Sequence, residues 1–212
     1  PKFNWKAIFT TNYDLLIEDA YRLTDAAIQS CHPVLSNSDR LEEAKVSNDK
    51  VPLVKLHGCI TRCHEESLPL ILTIEQYNDC LDERDRLFQY LYDAGFENTI
   101  VFVGYSLQDE NIRKIISLVE QKVGSGRPRY YLVKPKVKRP EVDLWATKRI
   151  TVLDGGFEDF LEALDDKVSV SQRTLSLVRP EKDHPIQSKF ISNSPLSDSI
   201  ARFLMDEVEY VD

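Results

Sequence analysis

The most informative stretch of this chain is Ala7-Ile8-Phe9-Thr10-Thr11-Asn12-Tyr13-Asp14. An apolar run ends abruptly in polar side chains, and a helical pattern follows over residues 13–23. In α/β proteins, a strand of this kind delivers polar groups to a ligand crevice at its carboxyl end. Two later strands end similarly, at Lys55-Leu56-His57-Gly58 and at Phe102-Val103-Gly104-Tyr105-Ser106. Together the three strand ends favour an enzyme that handles a nucleotide.

The composition fits a globular domain. The 212 residues suffice for one large domain with a short appendage, and a hydrophobic content of 42% supports a real core. A net charge of −8 argues against direct nucleic-acid binding and against contact with anionic membranes. Four cysteines do not make a disulfide framework in a chain of this length, which predicts a cytoplasmic protein.

Short β-rich runs alternate with helical periodicity along the chain. This alternation predicts an α/β fold with a Rossmann-like, mostly parallel sheet flanked by helices. We expect strands over residues 5–9, 51–56, 68–72, 99–103, 130–133 and 150–153, and helices over residues 13–23, 74–94, 112–123, 141–146 and 157–164. Residues 24–50 are polar and predict a loop or a short helix. Thr73 and Gln76 form a capping-box pattern, and Gly95 is expected to end the helix that follows them.

The pattern changes after residue 166. We predict a first domain over residues 1–166, a linker or arm over 167–193, and a helix over 194–212 that leads to a downstream module. Because the chain starts without Met and almost directly inside a strand, we expect it to be a fragment whose N-terminal elements are missing.

Parallel strands bring their carboxyl ends to one edge of a sheet. The residues expected there include one histidine, one asparagine, carboxylates and glycines: Thr10, Thr11, Asn12, Asp14, His57, Gly104, Ser106, Lys134, Asp154, Gly155 and Gly156. The convergence of these residues, rather than any single motif, predicts a binding site.

Structural explanations compete with the functional ones. Thr11 and Asp14 fit a capping box that needs no ligand, whereas Asn12 within a first helical turn has no such explanation. A lone histidine is usually structural, but Gly58 after His57 allows a ligand to approach closely. Histidine accepts protons near neutral pH, which makes His57 a candidate general base. Ser106 and Asp109 also fit a capping box, although a helix N-terminus at a strand end suits phosphate or ribose oxygens equally well.

A metal site is not expected. Cys59, Cys63, His64 and Cys80 match no closed tetrahedral zinc pattern, and Cys80 lies on the apolar face of its predicted helix. The chain also has no Walker-type phosphate loop.

The three motifs, in this order, resemble those of the Sir2-like domains of bacterial anti-phage defence proteins. Thr10-Thr11-Asn12-Tyr13-Asp14 is similar to the family's Thr-Thr/Gln-Asn-x-Asp motif, and Leu56-His57-Gly58 to its Leu-His-Gly segment. Gly104-Tyr105-Ser106 with Asp109 is similar to the Gly-Tyr-Ser-x-x-Asp of these domains. The resemblance covers about residues 5–166. It implies a domain that binds NAD+ and cleaves the bond between nicotinamide and ribose without a metal.

The resemblance also implies roles for individual residues. Asn12 would orient the ribose hydroxyls or the attacking water, and His57 would be the general base. Asp14 would lie by the nicotinamide pocket, Thr10 and Thr11 would lie by the ribose, and Gly58 would be a further cofactor-binding residue. Gly104 and Ser106 would hold the adenosine half, and Lys134 with the Asp154-Gly155-Gly156 turn would close over the adenine end. Tyr105 and Asp109 would be further cofactor-binding residues.

Two departures from the family bear on the activity. The Gly-Ala-Gly-x-Ser phosphate loop of the family is not in this chain and is expected upstream. The four-cysteine zinc module of deacylating sirtuins is also missing, since only about ten residues separate Gly58 from the next predicted strand. The second departure favours NAD+ hydrolysis over an NAD+-dependent protein deacylase, and intact Asn12 and His57 disfavour a domain that only senses NAD+ or ADP-ribose. Hydrolysis and cyclisation of the ADP-ribosyl product both stay open.

An NAD+-destroying domain needs a gate, because unregulated loss of NAD+ would kill the host. The expected partners are therefore further copies of the chain in a homo-oligomer, a downstream sensor or regulatory module, and a phage-derived activator.

Overall fold

The computed structural model describes residues 1–25, 27–41, 43, 48–65, 70–73, 76, 84–104, 110–123 and 126–173. These residues form two compact units, one within Pro1–Leu91 with the short segment from Ser171, and one within Tyr92–Val170. No helix in this part of the chain is long and apolar enough to cross a membrane.

The first unit is built on a three-stranded parallel sheet in the order β1-β3-β2. Its elements are β1 (Ile8–Thr10), α1 (Leu16–Arg22), β2 (Ser30–Val34), β3 (Lys50–Lys55) and a 3-10 turn (Ile60–Arg62). The α2 helix (Asp85–Glu97) carries the chain from this unit into the second.

The central strand β3 is the core of the first unit. Val51, Leu53 and Val54 are fully buried, as expected of a strand that is paired on both edges and covered on both faces. Each such side chain contributes about 1.5–3 kcal/mol through removal from water. The strand is therefore a rigid support for the residues that follow its carboxyl end.

The second unit has the same architecture. Its three parallel strands lie in the order β4-β5-β6. The elements are β4 (Val101–Val103), α3 (Glu110–Val123), β5 (Tyr130–Lys134), α4 (Arg139–Ala146), β6 (Ile150–Asp154), α5 (Phe157–Lys167) and α6 (Val170–Arg173). The predicted α/β class with parallel strands and flanking helices is thus confirmed.

Residues 24–50 contain a strand that the sequence did not predict. β2 forms the edge of the first sheet, in register with β3 from Ser30 opposite Lys50 to Val34 opposite Val54. The sequence did not predict this strand because it contains Pro33 and several polar residues, which are unfavourable in strands. Its formation depends on pairing with β3, and an edge position tolerates proline because one side of the strand needs no hydrogen bond.

The strand predicted over 68–72 is wrong within the described residues 70–72. These residues adopt no regular structure. Ile71 is buried and donates a single backbone hydrogen bond to the His57 carbonyl, at 3.0 Å. Its apolar character therefore reflects packing rather than sheet pairing.

Gly95 does not end its helix, contrary to the sequence prediction. α2 continues to Glu97, and the Tyr130 hydroxyl donates a 2.5 Å hydrogen bond to the Gly95 carbonyl. A Cβ atom at residue 95 would lie 2.7 Å from that hydroxyl oxygen. The glycine is required by this close approach.

The capping box at Thr73 and Gln76 is confirmed. The Gln76 amide donates to Thr73 Oγ1 at 3.2 Å, and Gln76 Oε1 accepts from the Thr73 amide at 3.1 Å. The predicted helix over 194–212, and the arm beyond Arg173, lie outside the described residues.

Candidate active site

Two loops of the first unit meet at the carboxyl edge of its sheet. Thr10 pairs with Lys55 at the ends of β1 and β3, and the Leu56 amide donates to the Thr10 carbonyl at 2.9 Å. The Asn12 loop (residues 11–15) and the His57 loop (residues 56–59) therefore start side by side. The sequence prediction that the two motifs share an edge is borne out for these strands.

The Asn12 loop precedes α1 instead of forming its first turn. α1 begins at Leu16, and its N-terminal residue, Leu15, makes no side-chain cap. The capping box predicted for Thr11 and Asp14 is therefore wrong, as is the placement of Asn12 inside a helix. Asp14 Oδ1 instead accepts a 3.0 Å hydrogen bond from the Leu16 amide, an Asx turn that leads into the helix.

Asn12 is exposed, while its neighbours shape the loop. The Thr10 hydroxyl oxygen accepts a 3.0 Å hydrogen bond from the Asn12 amide and fixes the turn. The Asn12 side chain makes no hydrogen bond to the rest of the described chain. Its carboxamide, with one donor group and one acceptor, is available to a ligand.

His57 lies in the neighbouring loop and is half-buried. Its backbone carbonyl accepts from the Ile71 amide, which holds the loop against residues 70–72. Gly58 has a φ of 100°, a conformation that a residue with a Cβ atom adopts only with strain. The glycine is thus explained by the turn itself, without a ligand.

Tyr13 links the Asn12 loop to the 3-10 turn and to residues 70–72. Its backbone carbonyl accepts from the Ile60 amide at 3.0 Å. Its hydroxyl donates to the Ile71 carbonyl at 2.5 Å. The Asn12 loop, the 3-10 turn and residues 70–72 are consequently tied to each other by one side chain and its backbone.

A buried lysine lies beneath these loops. Lys55, the last residue of β3, is 1% exposed. Its ammonium donates to the Asp14 carbonyl, forms an ion pair with Glu18 Oε1 at 2.8 Å, and contacts Cys59 Sγ at 3.4 Å. The sequence motifs assign no role to Lys55 or Glu18, although a lysine directly after the apolar run Val51–Val54 is a signal that the sequence contains.

The same charges act on Cys31 in β2. Burial raises the pKa of the Cys31 thiol to about 11, the Glu18 carboxylate adds to the increase, and Lys55 opposes it. Cys31 therefore stays a neutral thiol at physiological pH. It also lines a cavity of about 550 Å³ between α1 and β2, together with Glu18, Tyr21 and Gln29. None of the predicted site residues that the structure describes lines that cavity.

The third strand end of this unit carries a charged cluster that the sequence did not reveal. After β2, Asp39 Oδ2 accepts from the amides of Leu35 and Ser36 at 2.7 and 2.9 Å. Arg62 donates to Asp39 Oδ1 at 3.2 Å and to Glu65 at 2.7 Å. Bonding to Glu65 is the largest cause that raises the pKa of Arg62, so the guanidinium stays charged.

The second unit brings its own predicted residues to the carboxyl edge of its sheet. The Gly104 amide donates to the Val133 carbonyl at 3.3 Å, and the Gly155 amide to the Lys134 carbonyl at 3.2 Å. Lys134 pairs with Asp154 in the sheet register, and its ammonium forms a 2.5 Å ion pair with Glu141. Gly104 has a φ of 65°, and open space lies where a Cβ atom would be.

Of the remaining predicted residues, one lies at the start of a helix and three lie outside the described part of the chain. Gly156 is the residue before α5, where its amide donates to Asp159 Oδ2 at 2.7 Å. Tyr105, Ser106 and Asp109 lie outside the described residues. The adenosine-binding roles of the second set therefore stay predictions.

No group of three or more metal-ligating side chains occurs in the described part of the chain. Cys31, Cys59 and Cys63 are free thiols. The Cys59 sulfur accepts from Thr61 Oγ1 at 3.2 Å, and Cys63 Sγ donates to the Ile60 carbonyl at 3.1 Å.

Comparison with known proteins gives two results. The family described as SIR2-like domain matches residues 6–153. The NAD(+) hydrolase ThsA of Bacillus cereus (strain MSX-D12) is 29% identical over 134 residues, which are 63% of this chain and 26% of that protein. The chain thus spans about a quarter of the length of this relative.

Proposed function

The chain belongs to the SIR2-like domain family, and we propose that it is an NAD+ hydrolase domain that cleaves the bond between nicotinamide and ribose. The similar protein named an NAD(+) hydrolase supports this activity. The main structural support is the Asn12 carboxamide, which is exposed and makes no hydrogen bond to the rest of the described chain. It lies in a loop that is held beside the His57 loop.

The proposed chemistry starts with departure of nicotinamide. The pyridinium leaves as a neutral base, and positive charge develops on the ribose in an oxocarbenium-like transition state. Such a reaction needs a positioned water, a proton acceptor and exclusion of bulk solvent. It needs no covalent intermediate on the protein.

Asn12 and His57 supply these functions in the proposal. The Asn12 carboxamide holds a ribose hydroxyl or the attacking water, since it offers both a donor and an acceptor. His57 accepts the proton that the water loses as it bonds to the ribose carbon. The adjoining Thr10 and Asp14 fix the loop through the turns described above.

The first test is a product assay with the full-length protein. Wild-type protein incubated with NAD+ should release nicotinamide together with ADP-ribose or its cyclic form. His57→Ala should lower the rate by about 10²–10⁴-fold, the usual contribution of a general base. Asn12→Ala should lower it by about 10²-fold, because the water or the ribose is no longer held in position.

Two residues of the same unit provide matched controls. Asn48 lies before β3, at the opposite edge of the sheet, and His32 lies within β2. Asn48→Ala and His32→Ala should keep wild-type turnover. Wild-type rates in both Asn12→Ala and His57→Ala would contradict the mechanism, and deacylation of an acyl-lysine peptide would favour a deacylase instead.

A role in anti-phage defence is part of the proposal. It rests on the resemblance of the three motifs to those of defence proteins, and it includes gating by oligomerisation, by a downstream module or by a phage-derived activator. Bacteria that express the full-length protein should lose NAD+ on phage infection, whereas cells with Asn12→Ala should not. Equal NAD+ levels in infected cells of both kinds would contradict this role.

A further inference from the structure

We propose that Lys55 is a positioning residue of the NAD+-cleaving site, whose ammonium holds the Asn12 loop and the His57 loop in a fixed relation. The inference rests on the proposed hydrolysis. It adds a residue that touches neither the substrate nor the reacting atoms.

The Lys55 ammonium is buried and is surrounded by hydrogen-bond acceptors. The side chain is 1% exposed, and Glu18, its carboxylate partner, is 18% exposed. All three N–H groups of an ammonium have partners here: the Asp14 carbonyl, Glu18 Oε1 and Cys59 Sγ. The ammonium therefore donates to three different segments of the chain at once.

The three partners belong to the segments that carry the site. Asp14 follows Asn12 by two residues, Cys59 follows His57 by two residues, and Glu18 lies in α1. Lys55 is thus a common anchor for both candidate catalytic residues and for the helix behind them.

Stability alone is a poor reason for this arrangement. Burying an ion pair costs several kcal/mol per ion, and apolar residues of similar volume often replace such pairs without loss of stability. Val51, Leu53 and Val54 of β3 are apolar and fully buried, so an apolar residue at position 55 would extend the same core. The lysine is better explained by the geometry that it imposes on the loops.

Other bonds limit the effect of losing Lys55. The Leu56 amide still bonds to the Thr10 carbonyl, and the Ile60 amide to the Tyr13 carbonyl. The loops should therefore shift relative to each other without separating. A shift of about 1 Å in a catalytic group lowers a rate by about 10²-fold.

The test removes both charges together, so that no buried ion is left unpaired. Full-length protein with Lys55→Met and Glu18→Gln is compared with wild type for kcat and KM with NAD+, and for its melting temperature. We expect kcat to fall by about 10–100-fold, while KM and the melting temperature stay near the wild-type values. Lys50→Met, at the other end of β3, is the matched control and should change none of the three.

The outcomes separate the two proposals. Wild-type kcat in the double variant would overturn the positioning role while leaving NAD+ hydrolysis intact. Failure of the double variant to fold, or a fall in kcat with a matching loss of melting temperature, would make Lys55 a structural residue and overturn the inference. No NAD+ cleavage by the wild-type protein would defeat the proposed function, and the inference with it.

Discussion

At the scale of single residues, the polar residues at the end of β1 have different roles. Some of them fix the turns of the Asn12 loop, whereas Asn12 itself does not. Thr10 and Asp14 both accept backbone hydrogen bonds that fix turns, and the Asp14 carbonyl also anchors Lys55. Asn12 is exposed and has no such task. Asn12 lies before α1 rather than in its first turn, and no structural contact within the described residues accounts for its carboxamide.

Gly58 yields a prediction at this scale. Its φ of 100° strains any residue with a Cβ atom, so Gly58→Ala should lower the free energy of unfolding by about 1–2 kcal/mol. Gly156→Ala is the control, because φ there is −87° and the nearest atom to an added Cβ is 3.4 Å away. Urea denaturation should show a loss below about 1 kcal/mol for the control, from its helix-cap preference. Equal losses in both variants would contradict the strain at Gly58.

At the scale of elements, α2 shows how a tertiary contact overrides a local signal. Glycine inside a helix costs about 1 kcal/mol relative to alanine, which favours a helix end there. The Tyr130 hydroxyl reverses the preference, since it occupies the space beside Gly95 and bonds to its carbonyl. The helix therefore continues through the glycine.

This contact predicts a coupled pair of mutations. Gly95→Ala should destabilise the protein by about 1–3 kcal/mol, because the new methyl group overlaps the Tyr130 hydroxyl. Tyr130→Phe should cost about 1 kcal/mol through the lost hydrogen bond. In the double variant the overlap is absent, so the two losses should not add. A double-mutant cycle in urea should give a coupling of about 1 kcal/mol or more.

Tyr131 provides the matched control for this cycle. It is the next residue of β5, and successive side chains of a strand point to opposite faces. Tyr131→Phe should therefore show no coupling to Gly95→Ala. Additive losses in the Gly95 and Tyr130 pair would show that the hydroxyl is not the reason for the glycine.

At the scale of the whole molecule, each unit repeats one design. Three parallel strands end at a common edge in each unit. Asn12 and His57 follow β1 and β3 in the first unit, whereas in the second unit Gly104 follows β4 and Lys134 ends β5. The proposed chemistry uses the edge of the first unit and calls for no metal.

Metal removal tests that last point. Hydrolysis that depends on Asn12, His57 and water should continue at an unchanged rate after dialysis of the full-length protein against EDTA. The assay is release of nicotinamide from NAD+, with a known zinc enzyme treated in parallel to verify the chelation. Activity that is lost on chelation and restored by added Zn²⁺ or Mg²⁺ would contradict the proposed mechanism.

Local patterns in the sequence determined much of the fold. Continuous apolar runs predicted β3 and β5, the central strand of each sheet, as well as β6 at the edge of the second sheet. Helical periodicity predicted the helices near them, because burial of one helix face repeats at a fixed interval. The Thr73–Gln76 capping box could also be predicted from the sequence, since both its hydrogen bonds join residues that are three positions apart. The strand-end motifs at Asn12 and His57 followed from the same local reasoning.

Only the tertiary structure decided the features that depend on distant partners. β2 exists because it pairs with β3, and Gly95 is helical because of Tyr130, 35 residues away. The Lys55 ammonium meets the Asp14 carbonyl across 41 residues of sequence. Local sequence motifs therefore located the two loops of the candidate site. The contacts that hold these loops together join residues far apart in the chain, and such contacts produce no hydrophobic periodicity from which they could be predicted.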